Sequence, residues 1–332
     1  MQSTRHDQRT LYVGMHDGVC ALSSTDAGET WQQGAVTPLA HAAARLSTSP
    51  AAPQRAYLAA YEAGVYRTDD GGLTWRHLVS YPSDYAHSVL VHPQDAQTVY
   101  VGSEPATVFC SHDGGESWHE CTGFRAVPEA QRWFFHAETR QAHVRDLRMA
   151  PHDPRSLYAG IEVGGVVRSR DGGANWQQLP GTHDDIHCLS LSPTRPQTVY
   201  VATARGPYRS DDEGQHWARI THGLQRPYAL HISAAPDDAD LVLLTVSTNA
   251  RRQQPQLYRS TTGGSKWQHI ASVGSDDDMV VAIDWDPSDP LRVYAGTDRG
   301  KLFCSYDRGV SWAPLPIRLP TIAVGALIVG LV

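Results

Sequence analysis

The chain lacks the features that mark several functional classes. Its 332 residues carry a formal net charge of −7, so they lack the basic excess with which proteins meet nucleic acid, and we expect no nucleic-acid partner. The first residues contain no apolar segment of the kind found in a signal peptide. The apolar run at 322–332 is shorter than the roughly 20 residues that a membrane helix needs, so we expect no membrane span.

Cysteine is also sparse. The five cysteines form an odd set with no Cys-x-x-Cys pair, unlike a disulfide framework. Scattered, unpaired cysteines are typical of reduced thiols. The sequence therefore predicts a cytoplasmic protein, or a secreted one if a leader has been removed.

What the chain does contain is one pattern repeated seven times, Ser/Thr-x-Asp-x-Gly-x-x-Trp. Successive tryptophans of the pattern are 41 to 58 residues apart, a period typical of propellers and solenoids. Seven units of about 47 residues each have the length of a four-stranded propeller blade. The tryptophans are Trp31, Trp75, Trp118, Trp176, Trp217, Trp267 and Trp312.

Each unit predicts four short strands, A to D from the axis outward. Strand A ends at a proline, a tyrosine of strand B follows seven residues later, and the repeated pattern turns strand C into strand D. The first unit lacks strand A, which the apolar C-terminus can supply, leaving no sheet edge exposed. The sequence therefore predicts an all-β, seven-bladed β-propeller of four-stranded blades that is one domain, 1–332, closed by its C-terminal strand. We expect the blades at 9–36 with 321–332, 41–80, 85–123, 142–180, 185–224, 228–273 and 279–316, and an inserted loop, 124–141, that could act as a lid.

The aspartates of the pattern suit a structural role. A carboxylate at such a turn accepts backbone N–H bonds, and the glycine supplies a backbone angle that other residues avoid. Calcium binding is disfavoured, because one carboxylate per turn supplies too few of the roughly six to eight oxygens that Ca²⁺ takes. The sixth copy has Thr262 instead and loses one acceptor. The structural aspartates are Asp26, Asp70, Asp113, Asp171, Asp212 and Asp307.

These residues resemble the Asp-box, or bacterial neuraminidase repeat, and the resemblance covers the whole chain. Asp-box propellers include sialidases, xyloglucanases, sortilin-like receptors and a photosystem II assembly factor, and this chain is most similar to their bacterial glycosyl hydrolase-like branch. The resemblance implies that the boxes lie on the face opposite the usual binding site. The resemblance does not imply sialidase activity, since no Arg-Ile-Pro segment lies near the N-terminus. It does not imply xyloglucanase activity either, because xyloglucanase-like enzymes use two facing propellers and this chain has one.

The face opposite the boxes is built from B–C loops and D–A connections, which converge on the central channel. Three glutamates occupy equivalent positions there on consecutive blades, and histidines recur six residues before the strand-ending proline. Converging like charges are costly unless a cation or a proton relieves them. Candidate catalytic residues are Glu62, Glu104, Glu162 and His187; candidate metal ligands are His87, His187, Glu104 and Glu162. Candidate ligand-binding residues are Tyr85, His87, His143, Arg145, Asp185, His187, Arg226, Tyr228 and His231.

Three functions stay open. The first is binding of a small molecule, a glycan or a protein partner on this face. The second is a metal-assisted hydrolase or lyase with a divalent metal as cofactor and a His/Glu cluster at the channel mouth. The third is a glycosidase with paired carboxylates, whose separation would set the stereochemistry. The lack of a nucleophile motif favours binding, while the sequence leaves open whether the protein is an enzyme.

Overall fold

The computed structural model describes residues 8–136, 141–275 and 277–331. These residues form seven antiparallel sheets arranged in a ring, which confirms the predicted all-β, seven-bladed propeller. The predicted ranges also include residues 1–7, 137–140, Asp276 and Val332, which lie outside the described part of the chain.

The strands are short, as expected for a chain with regular turns. The first eight are β1 (Arg9–Met15), β2 (Gly18–Ser24), β3 (Gln32–Gln33), β4 (Thr37–Pro38), β5 (Ala43–Thr48), β6 (Ala56–Ala60), β7 (Gly64–Thr68) and β8 (Arg76–His77). The next eight are β9 (Ala86–Val91), β10 (Val99–Ser103), β11 (Thr107–Ser111), β12 (His119–Glu120), β13 (His143–Ala150), β14 (Asp153–Glu162), β15 (Gly165–Ser169) and β16 (Gln177–Leu179). The remaining strands are β17 (Ile186–Leu191), β18 (Val199–Thr203), β19 (Gly206–Ser210), β20 (Ala218–Arg219), β21 (Tyr228–Ala234), β22 (Val242–Ser247), β23 (Gln256–Ser260), β24 (Gln268–Ile270), β25 (Val280–Trp285), β26 (Val293–Thr297), β27 (Lys301–Ser305), β28 (Ala313–Arg318) and β29 (Ile322–Leu331).

Six blades take four consecutive strands each, from β5–β8 to β25–β28. The seventh has the order β29-β1-β2-β3, with the two-residue β4 also paired to β2. The first strands of neighbouring blades contact one another around the ring and so line the axis. A helical turn, α1 (Thr122–Arg125), and a 3-10 turn over Pro128–Arg132 begin the insertion after the third blade. No helix among the described residues is long and apolar enough to cross a membrane.

The C-terminal strand closes the ring, as predicted. β29 pairs antiparallel with β1 in a register that sets Leu11 opposite Val329 and Val13 opposite Leu327. All four side chains are buried. The Val329 amide also donates to a carboxylate oxygen of Asp284 in the preceding blade at 2.8 Å. The apolar tail is therefore a paired inner strand, and it covers the edge of β1 that would otherwise stay open.

The repeated pattern forms the same turn in each blade. In the first copy, the Gly28 amide donates to the Ser24 hydroxyl at 2.8 Å and the Thr30 amide donates to Asp26 at 2.9 Å. In the sixth copy the Lys266 amide donates to the single hydroxyl oxygen of Thr262 at 2.9 Å. In the remaining copies the backbone amide four residues later donates to the aspartate in the same way, at Asp70, Asp113, Asp171, Asp212 and Asp307.

The tryptophan of each box can pack on the blade next to it. Trp31 meets Tyr294 edge to face, with ring centroids 5.6 Å apart. Trp75 meets Tyr12 in the same way at 6.1 Å. Edge-to-face contacts add to the stabilisation from apolar burial, so the boxes stabilise the joints between blades as well as the turns.

A bulge at one position of the innermost strands shapes the channel mouth. Six of these strands hold one extra residue near their start, where the pairing register shifts by one. A bulge leaves a residue out of the ladder and re-aims its side chain. The extra residues are Ala44, His87, Arg145, His187, Leu230 and Val281, and the residues that resume pairing are Arg45, Ser88, Asp146, Cys188, His231 and Ala282.

Candidate functional site

The first of two polar clusters at the mouth joins the third and fourth blades. His87 Nε2 lies 3.0 Å from Glu104 Oε2, and His143 Nδ1 lies 3.7 Å from the same oxygen. The two imidazoles stack with centroids 4.0 Å apart, and all three side chains are buried. Burial lowers the pKa of His87 to about 3. Burial alone would raise the pKa of Glu104, but hydrogen bonds from His87 and from the Gln141 amide lower it to about 2. A neutral His87 therefore donates to an ionised Glu104.

The second cluster joins the fourth, fifth and sixth blades. Ligand atoms of Glu162, Asp185 and His187 all lie within 4.8 Å of one another. His187 Nε2 is 3.2 Å from Asp185 Oδ1 and 3.1 Å from the Tyr228 hydroxyl, while its Nδ1 is 2.6 Å from the Ala229 carbonyl oxygen. Burial raises the pKa of Tyr228, and the nearby carboxylates raise it further, so this hydroxyl keeps its proton.

His143 and Arg145 connect the two clusters. His143 Nε2 lies 3.3 Å from Glu162 Oε2, so its ring separates Glu104 from Glu162. An Arg145 nitrogen lies 3.0 Å from the same oxygen of Glu162. Burial would raise the pKa of Glu162, but Arg145 and His143 together hold it well below its usual range. The four predicted metal candidates thus fall into two clusters, His87 with Glu104 and His187 with Glu162.

A cavity of about 200 Å³ opens beside these clusters. Three arginines line it, Arg45 from the second blade, Arg145 from the fourth and Arg252 from the B–C loop of the sixth. Arg252 also lies 3.5 Å from a carboxylate oxygen of Asp298. The other side chains in the lining are His16, Tyr61, His87, Ala42, Ala43, Ala44, Ala323 and Val324.

A buried charge network lies beneath the cavity. Asp146 is only 2% exposed. Its carboxylate oxygens lie 3.6 Å from Arg45 Nε and 3.2 Å from Arg148 Nε. One of these oxygens also accepts a hydrogen bond from the Leu189 amide at 2.8 Å. The predicted ligand residue His231 belongs to this layer, with Nε2 3.1 Å from the Ile283 carbonyl oxygen. Burial, followed by the charges of the two arginines, lowers the pKa of His231 to about 4.

The insertion packs next to the first and second clusters. Phe124 is buried against Trp133 and Trp176. Phe134 exchanges two backbone hydrogen bonds with Val163, at 3.1 and 3.0 Å, in the loop that carries Glu162. Residues 137–140 of the predicted insertion, 124–141, lie outside the described part of the chain. The described part of the insertion therefore supports the Glu162 loop, and a lid movement stays a prediction.

Three predicted residues have their described side-chain contacts outside the two clusters, although the Tyr85 carbonyl oxygen accepts from the Glu104 amide at 3.3 Å. Glu62 pairs with His41 at 3.3 Å, and Tyr85 stacks edge to face on Tyr61 with centroids 5.7 Å apart. One nitrogen of Arg226 donates to the neighbouring Gln225 carbonyl oxygen at 3.1 Å.

Arg45 is a site residue that the sequence reasoning missed. It lies five residues before Pro50, the offset at which Asp146 precedes Pro151 and His231 precedes Pro236. Because His87 and His187 lie six residues before their prolines, the next position in the same register identifies the buried layer.

Comparison with known proteins places the chain. The family model of sortilin and neurotensin receptor 3 matches residues 20–126 and 164–272, well over half of the chain. The chain belongs to the Sortilin-Vps10 family. The two matched ranges include blades on both sides of the insertion and contain His87, Glu104 and the Asp185–His187 connection.

More distant relatives share parts of the same architecture. The xyloglucanase Xgh74A of Acetivibrio thermocellus is 25% identical over 169 residues, which is 45% of this chain and 20% of that enzyme. The chain thus spans about a fifth of the length of this curated relative. The structure of YCF48 bound to a D1 peptide covers 87% of this chain and 91% of its own at 18% identity, with a TM-score of 0.61. The match to the GH74 enzyme of Niastella koreensis covers 95% of this chain and 68% of that enzyme's chain at 13% identity, with a TM-score of 0.58. At these identities, the solved structures show a shared propeller fold.

Proposed function

We propose that the protein binds a peptide segment with a free carboxylate in the cavity at the channel mouth. The observation that carries the proposal is the convergence of Arg45, Arg145 and Arg252 on one cavity. Guanidinium groups suit this ligand because their planar fork of N–H donors matches the two oxygens of a carboxylate.

Arg145 and Arg252 have N–H donors left for a ligand. Arg145 contacts Glu162 through one nitrogen, and its buried Nε has no hydrogen-bond partner among the described residues. Arg252 contacts Asp298 through one nitrogen. Because each guanidinium carries five N–H donors, both side chains can bind a carboxylate without giving up these contacts.

The walls of the cavity favour a ligand with some apolar surface. Tyr61 and His87 pack edge to face with ring centroids 5.2 Å apart, and Ala42 to Ala44 and Val324 complete the lining. The fold neighbour YCF48 has been solved with a peptide. That likeness shows the fold alone, yet it makes a peptide the first class of ligand to test.

The carboxylates of the site suit binding better than glycoside hydrolysis. A glycosidase needs one carboxyl that stays protonated as an acid, usually in an apolar pocket. Here hydrogen bonds from His87 and the Gln141 amide lower the pKa of Glu104 to about 2, and Arg145 holds the pKa of Glu162 below its usual range. The ring of His143 also fills the space between these two carboxylates.

The test compares two pools of the same labelled peptides, one with free C-terminal carboxylates and one amidated, by fluorescence anisotropy. We expect the free pool to bind at least about 10-fold more tightly, since a hydrogen bond to a charged group contributes about 1.5–3 kcal/mol. Arg252→Gln and Arg145→Gln should each remove most of that difference.

The matched control is Arg170→Gln, which removes a guanidinium 60% exposed and paired with Glu213 outside the cavity. It should leave the affinity unchanged. Equal binding of the two pools, or an equal loss in the control variant, would contradict the proposal.

A further inference from the structure

The second cluster and His143 beside it contain buried polar atoms that the described protein groups leave without a hydrogen bond. The buried atoms Glu162 Oε2, Asp185 Oδ1 and His143 Nε2 have no hydrogen-bond partner among the described residues. An unsatisfied buried acceptor is costly, and two neighbouring carboxylates repel each other. Arg145 relieves part of this repulsion through its contact with Glu162, whereas Asp185 Oδ1 lies 3.2 Å from His187 Nε2.

The tautomer of His187 places a lone pair in this cluster. Its Nδ1 lies 2.6 Å from the Ala229 carbonyl oxygen, so Nδ1 carries the proton and Nε2 is an acceptor. That acceptor lies 3.2 Å from Asp185 Oδ1. An imidazole whose Nδ1–H donates to a backbone carbonyl, which leaves Nε2 for the ion, is the arrangement in which proteins orient metal-binding histidines.

His143 adds a second imidazole at the edge of the cluster. It is completely buried, and its Nδ1 lies 3.2 Å from the Gln141 carbonyl oxygen. Its Nε2 lies 3.3 Å from Glu162 Oε2. Two imidazoles held by backbone carbonyls therefore lie beside the carboxylates of this cluster.

We propose that Glu162, Asp185 and His187 bind one divalent transition-metal ion at the channel mouth. Their ligand atoms lie within 4.8 Å of one another, and ligands at about 2.0–2.2 Å from a zinc ion can be reached by small side-chain movements from this arrangement. Mixed imidazole and carboxylate ligands suit Zn²⁺, Fe²⁺ or Mn²⁺. Three protein ligands leave a position for water or for a ligand group, with Arg145 beside it.

The first cluster makes the weaker candidate, although it holds two histidines and one carboxylate. There His87 Nε2 contacts Glu104 at 3.0 Å and the Gln141 amide donates to the other oxygen at 2.9 Å. Its carboxylate is therefore satisfied by protein donors. The metal site needs no bound peptide, and its test uses the metal alone.

The experiment is a Zn²⁺ titration of the full chain by isothermal calorimetry, after removal of bound metal with a chelator, with Co²⁺ as a spectroscopic substitute. We expect one equivalent to bind and Co²⁺ to show visible absorption. Asp185→Asn and His187→Gln should weaken binding by more than the about 10- to 100-fold that loss of an outer-sphere partner costs. Near-ultraviolet circular dichroism would check that both variants keep the native packing.

Three further variants separate this site from its neighbours. Glu104→Gln, in the first cluster, and His41→Gln, in the exposed His41–Glu62 pair, should keep the full equivalent. Tyr228→Phe should bind at least as tightly, because the tyrosine hydroxyl competes with the metal for His187 Nε2. A wild-type chain without a stoichiometric ion would overturn the assignment. So would loss of the ion in Glu104→Gln while Asp185→Asn and His187→Gln keep it.

Discussion

Removing the charge of Asp146 should destabilise the propeller far more than removing a surface carboxylate with closer ion pairs. Asp146→Asn keeps an oxygen for the Leu189 amide but leaves Arg45, only 5% exposed, beside a neutral side chain. Arg148 is 40% exposed and can turn to solvent, whereas Arg45 cannot. Breaking a buried ion pair by removing one partner costs about 3–5 kcal/mol.

This loss converts into a measurable change in melting temperature. At about 2.1 cal/mol/K per residue, the 332 residues have an unfolding entropy of about 0.7 kcal/mol/K. Asp146→Asn should therefore lower the Tm by about 4–7 °C in differential scanning calorimetry at pH 7. Adding Arg45→Met should recover most of the loss, because the uncompensated charge is then gone as well.

The control variant is Asp69→Asn. Asp69 contacts two arginines at shorter distances, 2.6 Å to Arg55 and 2.8 Å to Arg67, but is 46% exposed. Exposed pairs contribute about 0–1 kcal/mol, so the Tm should fall by less than about 1.5 °C. Equal losses in the two variants, or an Asp146→Asn variant as stable as the wild type, would refute the argument that burial decides the effect.

Three other predictions concern the blades and the closure of the ring. Burial raises the pKa of Asp284 to about 6, so its ionisation costs stability at neutral pH; Asp284→Asn should raise the free energy of unfolding at pH 8 by about 3 kcal/mol. That gain should vanish below about pH 3 in urea titrations, because both folded and unfolded wild type then bind the proton. Thr262→Asp should stabilise the sixth box by about 0.5–1.5 kcal/mol, measured by urea unfolding, because a carboxylate adds a second acceptor beside the Lys266 amide. Deleting 322–332 should leave the edge of β1 that pairs with β29 open and cause aggregation, seen in size-exclusion chromatography; a monomeric truncated chain would contradict ring closure by β29.

Some parts of the site were visible in the sequence because they recur at fixed offsets. His87 and His187 precede a proline by six residues, and the structure places both in the bulge of an innermost strand. The partners of these histidines were not visible. His87 meets Glu104 of its own blade, whereas His187 meets Asp185 and Tyr228, because the loop lengths and the rotation between blades decide which side chains face each other.

The sequence by itself determined the number of blades, the position of the boxes and the closure by the C-terminal strand. These features depend on local hydrogen bonds, such as that from the Gly28 amide to Ser24, and on apolar periodicity, so they repeat visibly along the chain. Only the tertiary structure decided that Arg45, Asp146 and His231 form a buried layer and that Glu162 belongs with His187 rather than with Glu104. Those contacts join residues from different blades, and their distances follow from the ring geometry and the bulges, which no spacing along the chain records.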